Sequence, residues 1–308
     1  MQRLAALLAL TALAGCGGGG DGEALAPGLP LPPAGGSRWA ALERDDDGDG
    51  LAESVTRYGY DALGRRISQS TWVAERGVIV GDPVEVQTWV YDPASRVLRH
   101  RVEAAGSWRS NDADYGADGL LASTTMRWHD RPGMLRTIYT WRGMRLVQAR
   151  QESFTPRTYR LSYDAAGLIA RVESRFDRSS GADVETYSWR THDQLAAASF
   201  NLSVGNLVLY RLEYDSTGRH IRTRKTDDGF EDEARRHHQD ATGRLVRVEA
   251  DLQPSGFDEA DFVADVVYRI RWESGLCQPV FLPALPPVFD RQSTSLARAD
   301  GAMLGCAA

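Results

Sequence analysis

One short pattern governs what this chain can become. An aromatic residue, an aspartate and, three positions after the aspartate, a glycine recur along it. Tyr60-Asp61 leads to Gly64, Tyr163-Asp164 to Gly167 and Tyr214-Asp215 to Gly218, with Gln239-Asp240 leading to Gly243 in a worn copy. Degenerate copies fill the intervals. His129-Asp130 runs to Gly133, Tyr91-Asp92 has Ser95 in place of glycine, and Tyr115 keeps Gly119 but is followed by Gly116. Shortened versions begin at Trp189 and Trp272. From Tyr163 onward the copies lie about 25 residues apart. Such a period marks an array of small units, each unable to bury its apolar face until a neighbour stacks beside it.

Each position has a turn chemistry. Aspartate accepts backbone N–H groups at the start of a turn, and glycine supplies a positive φ at its end. Aromatics flank the turns at spacings of two or four: Tyr58 with Tyr60, Trp89 with Tyr91, Tyr139 with Trp141, Tyr187 with Trp189, Tyr268 with Trp272. That spacing places each pair on one face of a strand. After the turn the alternation continues, as in GRLVRVEAD, which reads with Leu245, Arg247 and Glu249 on one face and Val246, Val248 and Ala250 on the other. Looser turns around residues 142, 177, 203 and 226 divide the repeats, and residues 38–273 hold no helical period. The expected fold is all-β: an elongated antiparallel meander of hairpins, forming a twisted sheet or an open barrel-like coil.

The repeated Tyr-Asp-x-x-Gly-Arg-x-Ile/Leu resembles the YD repeat of the RHS family over roughly residues 55–275. The resemblance implies one β-hairpin per repeat. In that family long arrays coil into a large sheet or hollow shell; some members are toxins that enclose an effector, and others are surface proteins implicated in glycan binding or cell contact. This chain is too short for a shell of that size, and its tail after Glu273 is small and proline-rich. The toxin reading is therefore poor.

The first sixteen residues give an address. Arg3 precedes an apolar run from Leu4 to Leu13, too short to span a bilayer as a mature helix. Leu13-Ala14-Gly15-Cys16 resembles the bacterial lipobox, which implies a leader over residues 1–15 and a lipid on Cys16; a plain signal peptide is the alternative. Residues 16–37 form a glycine-rich, then proline-rich tether, followed by the repeat domain (38–275) and a C-terminal tail or cap (276–308). An exported chain meets an oxidising compartment, so Cys277 and Cys306 either pair or remain two thiols. Gly17 lacks the aspartate that retains some lipoproteins at the inner membrane, which favours the outer membrane.

Residues 45–54, DDDGDGLAES, form the strongest site candidate. Asp45, Asp47 and Asp49 stand at positions 1, 3 and 5 of a calcium loop, Gly50 at the sharp turn and Glu53 at position 9. Thr56 replaces the bidentate glutamate at position 12. Two readings stand, a structural calcium loop pinning the entry to the first hairpin and a solvated acidic turn. The turn aspartates recur because the turn recurs, and His237 and His238 face opposite sides of a strand. No nucleophile elbow, zinc helix or phosphate loop is present in the sequence. The net charge of -6 argues against a nucleic-acid partner. The expected function is a non-catalytic envelope lipoprotein that binds or displays at the cell surface, with a glycan or an envelope protein as ligand. The alternatives are a self-associating scaffold and, less favoured, a polysaccharide-acting enzyme. A glycan binder would expose a row of aromatics, and a scaffold would expose sheet edges.

Overall fold

The computed structural model describes residues 36–131, 133–191, 194–201, 205–252 and 262–277, together with the strand at 306–307. The leader, Cys16 and nearly all of the tether lie outside the described residues, as does most of the C-terminal tail. Every described element is a β-strand. In chain order these are β1 (Ser37–Asp45), β2 (Ser54–Tyr60), β3 (Arg66–Glu75), β4 (Val78–Ile79), β5 (Glu85–Tyr91), β6 (Val97–Ala104), β7 (Ser107–Tyr115), β8 (Leu121–Trp128), β9 (Met134–Arg142) and β10 (Arg145–Glu152). They continue as β11 (Arg157–Tyr163), β12 (Ile169–Phe176), β13 (Asp183–Trp189), β14 (Leu195–Asn201), β15 (Leu207–Tyr214), β16 (His220–Asp227), β17 (Phe230–Gln239), β18 (Leu245–Asp251), β19 (Val266–Ser274) and β20 (Cys306–Ala307).

The meander closes. Successive strands pair antiparallel from β1 through β19, and β19 then pairs with β1 over Ser37↔Ser274 to Asp45↔Val267. The wall is an 18-strand antiparallel barrel; β4 is a short flap on β3, and β20 adds to the Ser37–Arg38 end of β1. The open alternatives allowed by the sequence are thus resolved in favour of closure. The open edges on which self-association through edge pairing rested are absent from the described wall.

Closure follows from what happens at one end of the strands. At each aspartate turn the register slips beside the aromatic residue, as between Gly59 and Tyr60, Val90 and Tyr91, or Ser162 and Tyr163. A bulge of this kind bends a strand and increases its twist. One bulge stands at the same level in each hairpin, so the sheet curls steadily in one sense. The slip also changes the phase of the strand after the turn. In β18, Leu245 lies opposite Gln239 while Val248 lies opposite His237, so both point inward with Ala250, and Arg247 and Glu249 point outward. The simple alternation expected for this segment is corrected by the bulge at Val246.

The aromatics of the repeat form a girdle just inside that end. Tyr60 Oη donates to Trp39 O (2.9 Å), Tyr91 Oη to Arg66 O (2.6 Å) and Tyr115 Oη to Val97 O (3.0 Å). Trp141 Nε1 donates to Leu121 O (2.8 Å), Tyr163 Oη to Leu146 O (2.7 Å) and Trp189 Nε1 to Ile169 O (2.8 Å). Tyr214 Oη reaches Leu195 O (2.9 Å), Gln239 Nε2 reaches His220 O (2.6 Å) and Trp272 Nε1 reaches Leu245 O (2.9 Å). Each acceptor lies directly opposite the previous girdle residue across its own turn, Trp39 opposite Trp272 included. The nine bonds therefore make a closed cycle. Its ninth unit is assembled from the two ends of the wall, β19 outgoing and β1 returning.

This cycle corrects two of the sequence assignments. Trp141-Arg142-Gly143 occupies an aspartate-turn position, whereas it reads as a looser dividing turn. His129-Asp130 belongs to the β8–β9 connection at the opposite end of the barrel. The copies at Tyr91, Tyr115, Trp189 and Trp272 do take girdle positions, and Ser95 adopts the positive φ (62°) that glycine supplies elsewhere.

The arginine of the repeat has a role as well. Asp61 Oδ1 accepts the amides of Leu63 and Arg65, and its Oδ2 takes Arg65 Nε at 2.6 Å. Arg65 then reaches the next turn, donating to Asp92 O (3.3 Å) and lying over the Tyr91 ring (4.9 Å). Arg96 repeats this on Gly119 O and Tyr115, and Arg244 is pinned by Asp240 and faces Trp272. At the seam Arg38 covers Tyr60, pairs with Glu273 at 2.7 Å and donates to Leu276 O at 3.2 Å. Leu276 crosses the first turn so closely that a Cβ on Gly64 would meet its carbonyl at 2.4 Å, so this position admits only glycine.

Packing inside the wall completes the fold. Tyr139, Leu146, Tyr159, Leu161, Val172, Tyr187, Phe200, Val208 and Tyr210 form a continuous buried cluster across β9 to β15. Loss of one girdle hydroxyl leaves a carbonyl short of its donor. Tyr163→Phe is expected to lower the free energy of unfolding by about 1 kcal/mol, and the exposed, outward Ser162→Ala to change it by less than about 0.5 kcal/mol. Urea denaturation of the two variants checks the difference.

Candidate metal loop and barrel interior

The acidic segment 45–54 is the β1–β2 connection, at the end of the barrel opposite the girdle and beside the seam. Asp45 ends β1 and is fully buried. Its Oδ1 accepts Gly48 N (2.6 Å), and its Oδ2 accepts Gly50 N (3.0 Å) and Arg269 Nη2 of β19 (2.9 Å). Burial alone would raise the Asp45 pKa, but the Arg269 guanidinium and the two glycine amides outweigh it and hold the carboxyl below its usual value. Asp47 Oδ1 accepts Asp49 N (3.1 Å), Asp49 Oδ1 accepts Leu51 N (2.7 Å), and Glu53 Oε2 accepts Asp46 N (2.5 Å).

The expected ligands do come together. Asp45, Asp47, Asp49 and Glu53 each offer a carboxylate oxygen, and these oxygens lie within 4.8 Å of one another. Four carboxylates this close repel unless a cation joins them, and the cluster could hold a metal ion. An all-oxygen donor set suits a hard cation such as calcium rather than a thiophilic metal. Thr56 is a buried strand residue of β2 bonded to Thr71 (2.9 Å), and therefore stands off the loop. The geometry is that of a short acidic loop, without the twelfth ligand of a sensor hand.

The turn aspartates are held as the sequence suggests. Thr217 Oγ1 and the Arg219 amide hold Asp215 below the usual carboxylate range, and Thr242 Oγ1 with Arg244 does the same for Asp240. These groups are structural acceptors, committed to their turns.

His237 and His238 do face opposite sides: His237 is buried, while His238 lies outside and contacts Glu249 at 3.0 Å. A partnership that the sequence hides is His237 with His220, whose rings lie 4.0 Å apart. The bulge between His220 and Arg222 brings them together, and no spacing rule signals it. Burial pushes His220 down to about 4, and burial together with His220 and Arg235 pushes His237 well below its ordinary value. Cys277 is buried and disulfide-bonded. Cys306, the pairing partner considered from sequence, is in strand β20 against Arg38, and its side chain lies outside the described residues.

No family model and no curated protein matches the chain. Among solved structures it is similar to a porin-like protein from Bacteroides uniformis ATCC 8492, at 10% identity and a TM-score of 0.43, over 76% of this chain and 98% of that one. It is also similar to TcdB2-TccC3-TEV (13% identity, TM-score 0.27, 70% of this chain and 15% of that one). TcdB2-TccC3 without its hypervariable C-terminal region gives 12% identity and a TM-score of 0.27, over 82% of this chain and 16% of that one.

The loop makes a direct forecast. Millimolar calcium is expected to raise the thermal unfolding midpoint, chelator to reverse the rise, and the double variant Asp47→Asn, Asp49→Asn to abolish it. A midpoint indifferent to calcium would leave the segment as a solvated acidic turn.

Proposed function

We propose that this chain is a lipid-anchored protein of the bacterial envelope whose barrel is a non-catalytic module for binding or display, tethered to the outer membrane and not embedded in it. The observation that carries this reading is the outer wall. Membrane-spanning barrels present an apolar band to lipid and keep their polar side chains inside. Here the outer wall carries charge. Aromatic and aliphatic side chains point inward, while Arg99–Asp112–Arg127, Arg171–Glu173–Arg175 and Arg271–Glu43 pairs stand on the outside. A wall of this kind belongs in water. The Leu13-Ala14-Gly15-Cys16 leader and the glycine- and proline-rich stretch after it supply attachment by other means.

Three features support a non-catalytic role. The turn aspartates are spent on turns. The inward carboxylate of Asp183 is paired with Arg157 at 2.5 Å, and that of Glu185 accepts Tyr187 Oη at 2.5 Å. Glu233 is paired with buried Arg235. Inward carboxylates held in this way favour structure over acid–base chemistry. For the ligand, the row of aromatics expected of a glycan binder faces inward. Among the aromatic groups on the outside are Trp108 beneath Arg101 (4.6 Å) and Trp72 near Arg57 (5.7 Å). Indole–guanidinium pairs of this type suit either a sugar face or a protein partner.

The test has two parts. Fractionation of cells is expected to find the wild type with outer membranes and Cys16→Ser released in soluble form. The released chain, applied to cell-wall glycans and to envelope extract, is expected to be retained in a way that Trp108→Ala and Trp72→Ala weaken at least about fivefold. Cys16→Ser remaining firmly in the membrane would contradict the tethered reading, and retention unaffected by both tryptophan changes would contradict the binding face.

A further inference from the structure

The inner wall near the seam carries a buried arginine with no ion-pair partner among the described residues. Arg66, the first residue of β3, points inward opposite Tyr60 and is only 7% exposed. Its backbone carbonyl is taken by Tyr91 in the girdle. Its guanidinium lies over the Tyr58 ring at 4.6 Å and near that of Trp89 at 6.0 Å. Its guanidinium is hydrogen-bonded to the Tyr60 hydroxyl, but among the described residues Arg66 forms no ion pair, and its Nε and Nη2 have no hydrogen-bond acceptor. The other turn arginines behave differently, since Arg65, Arg96 and Arg244 are each matched by their own aspartate.

The neighbours share the same deficit. Trp89 Nε1 is buried without an acceptor, and so is Nε1 of Trp39, whose ring packs on Tyr58 at 5.7 Å. Arg66 lies over Tyr58 and near Trp89, and Trp39 packs on the same tyrosine, so these unsatisfied donors belong to one aromatic cluster. Buried donors are almost always satisfied, and a buried charge is retained only with a partner. What they lack is a compact acceptor bearing negative charge. The neighbouring acid, Glu85, accepts Gln87 Nε2 at 2.8 Å, and the Gln87 amide oxygen is held by His100 Nε2 at 2.9 Å.

We infer that the barrel interior holds an oxyanion, such as a carboxylate, sulfate or phosphate group, against the guanidinium of Arg66 and the indole N–H of Trp89. A planar fork of donors matches two oxygens of such a group, and the aromatic walls strengthen the interaction by excluding water. Tyr58 and the stacked Trp89–His100 pair (4.9 Å) form the sides of the site. It is distinct from the acidic loop, which lies at the other end of the strands, and from the outward tryptophans of the proposed binding face.

The experiment is a titration of the full-length protein in detergent with sodium sulfate, phosphate and acetate, against sodium chloride at matched ionic strength. Thermal unfolding and tryptophan fluorescence are the readouts. The inference expects a saturable rise in midpoint and a fluorescence change with at least one oxyanion, and neither with chloride. Arg66→Gln is expected to remove both responses. A midpoint that follows ionic strength regardless of the anion would overturn the inference, as would an Arg66→Gln protein that saturates like the wild type. Should Arg66→Gln fail to fold, Trp89→Phe decides, because it keeps the ring and deletes one donor: half-saturation moving at least about fivefold higher supports the site, and an unchanged value overturns it.

Discussion

The hydrogen bond from a girdle side chain to the carbonyl of the preceding unit is the interaction on which this barrel depends. Each bond is of modest strength, about 1 kcal/mol net, but its geometry is exacting. The side chain has to stand at the end of a strand and point inward, and the acceptor carbonyl has to be freed by a bulge. Tyrosine and tryptophan meet these demands with a rigid ring and a terminal donor, and Gln239 meets them with an amide. The bulge that frees the carbonyl also curves the sheet. Local bonding and global closure therefore have one cause. In the ninth unit the ladder pair Trp39–Trp272 joins chain segments more than two hundred residues apart, and Arg38 ties β1 to Glu273 and Leu276 there.

Much of this was legible in the sequence, for physical reasons. Turn chemistry is local, so aspartate and glycine offsets reveal hairpins, and aromatic pairs two apart reveal a shared face. What the sequence conceals is non-local. No residue type announces a bulge, so the facing of Val248 beside Leu245 could not be read from alternation, nor could the meeting of His220 with His237. Trp141-Arg142-Gly143 was obscured because tryptophan serves the girdle without the aspartate, while His129-Asp130 imitates the repeat with no girdle role. Closure depends on curvature summed over every unit, a quantity that no single repeat encodes. The acidic loop was the opposite case: the ligand spacing is local, and the carboxylates converge as the spacing implies.

The placement of charge divides the molecule into three environments. Outside, arginines and carboxylates alternate in pairs that individually contribute little to stability. At the aspartate end, arginines are tied down by their turns and spend their remaining donors and their planar faces on the next unit. Inside, Arg157 pairs with Asp183 and Arg235 with Glu233, whereas Arg66 forms no ion pair among the described residues. The seam collects several of these features together: Asp45 and Arg269 across β1 and β19 at one end, Arg38 and the C-terminal crossing at the other. A chain that closes by joining its own two ends has every reason to reinforce that join.

Hydrogen exchange at the join is the most direct measure of closure. If β1 and β19 pair as the ninth unit, the amides of Ala41–Arg44 and Val267–Arg271 exchange as slowly as those of the interior strands β11 and β15, and by the same global opening. Rapid exchange confined to β1 and β19, with β11 and β15 still protected, would mean that these two strands are free edges and that the barrel is open.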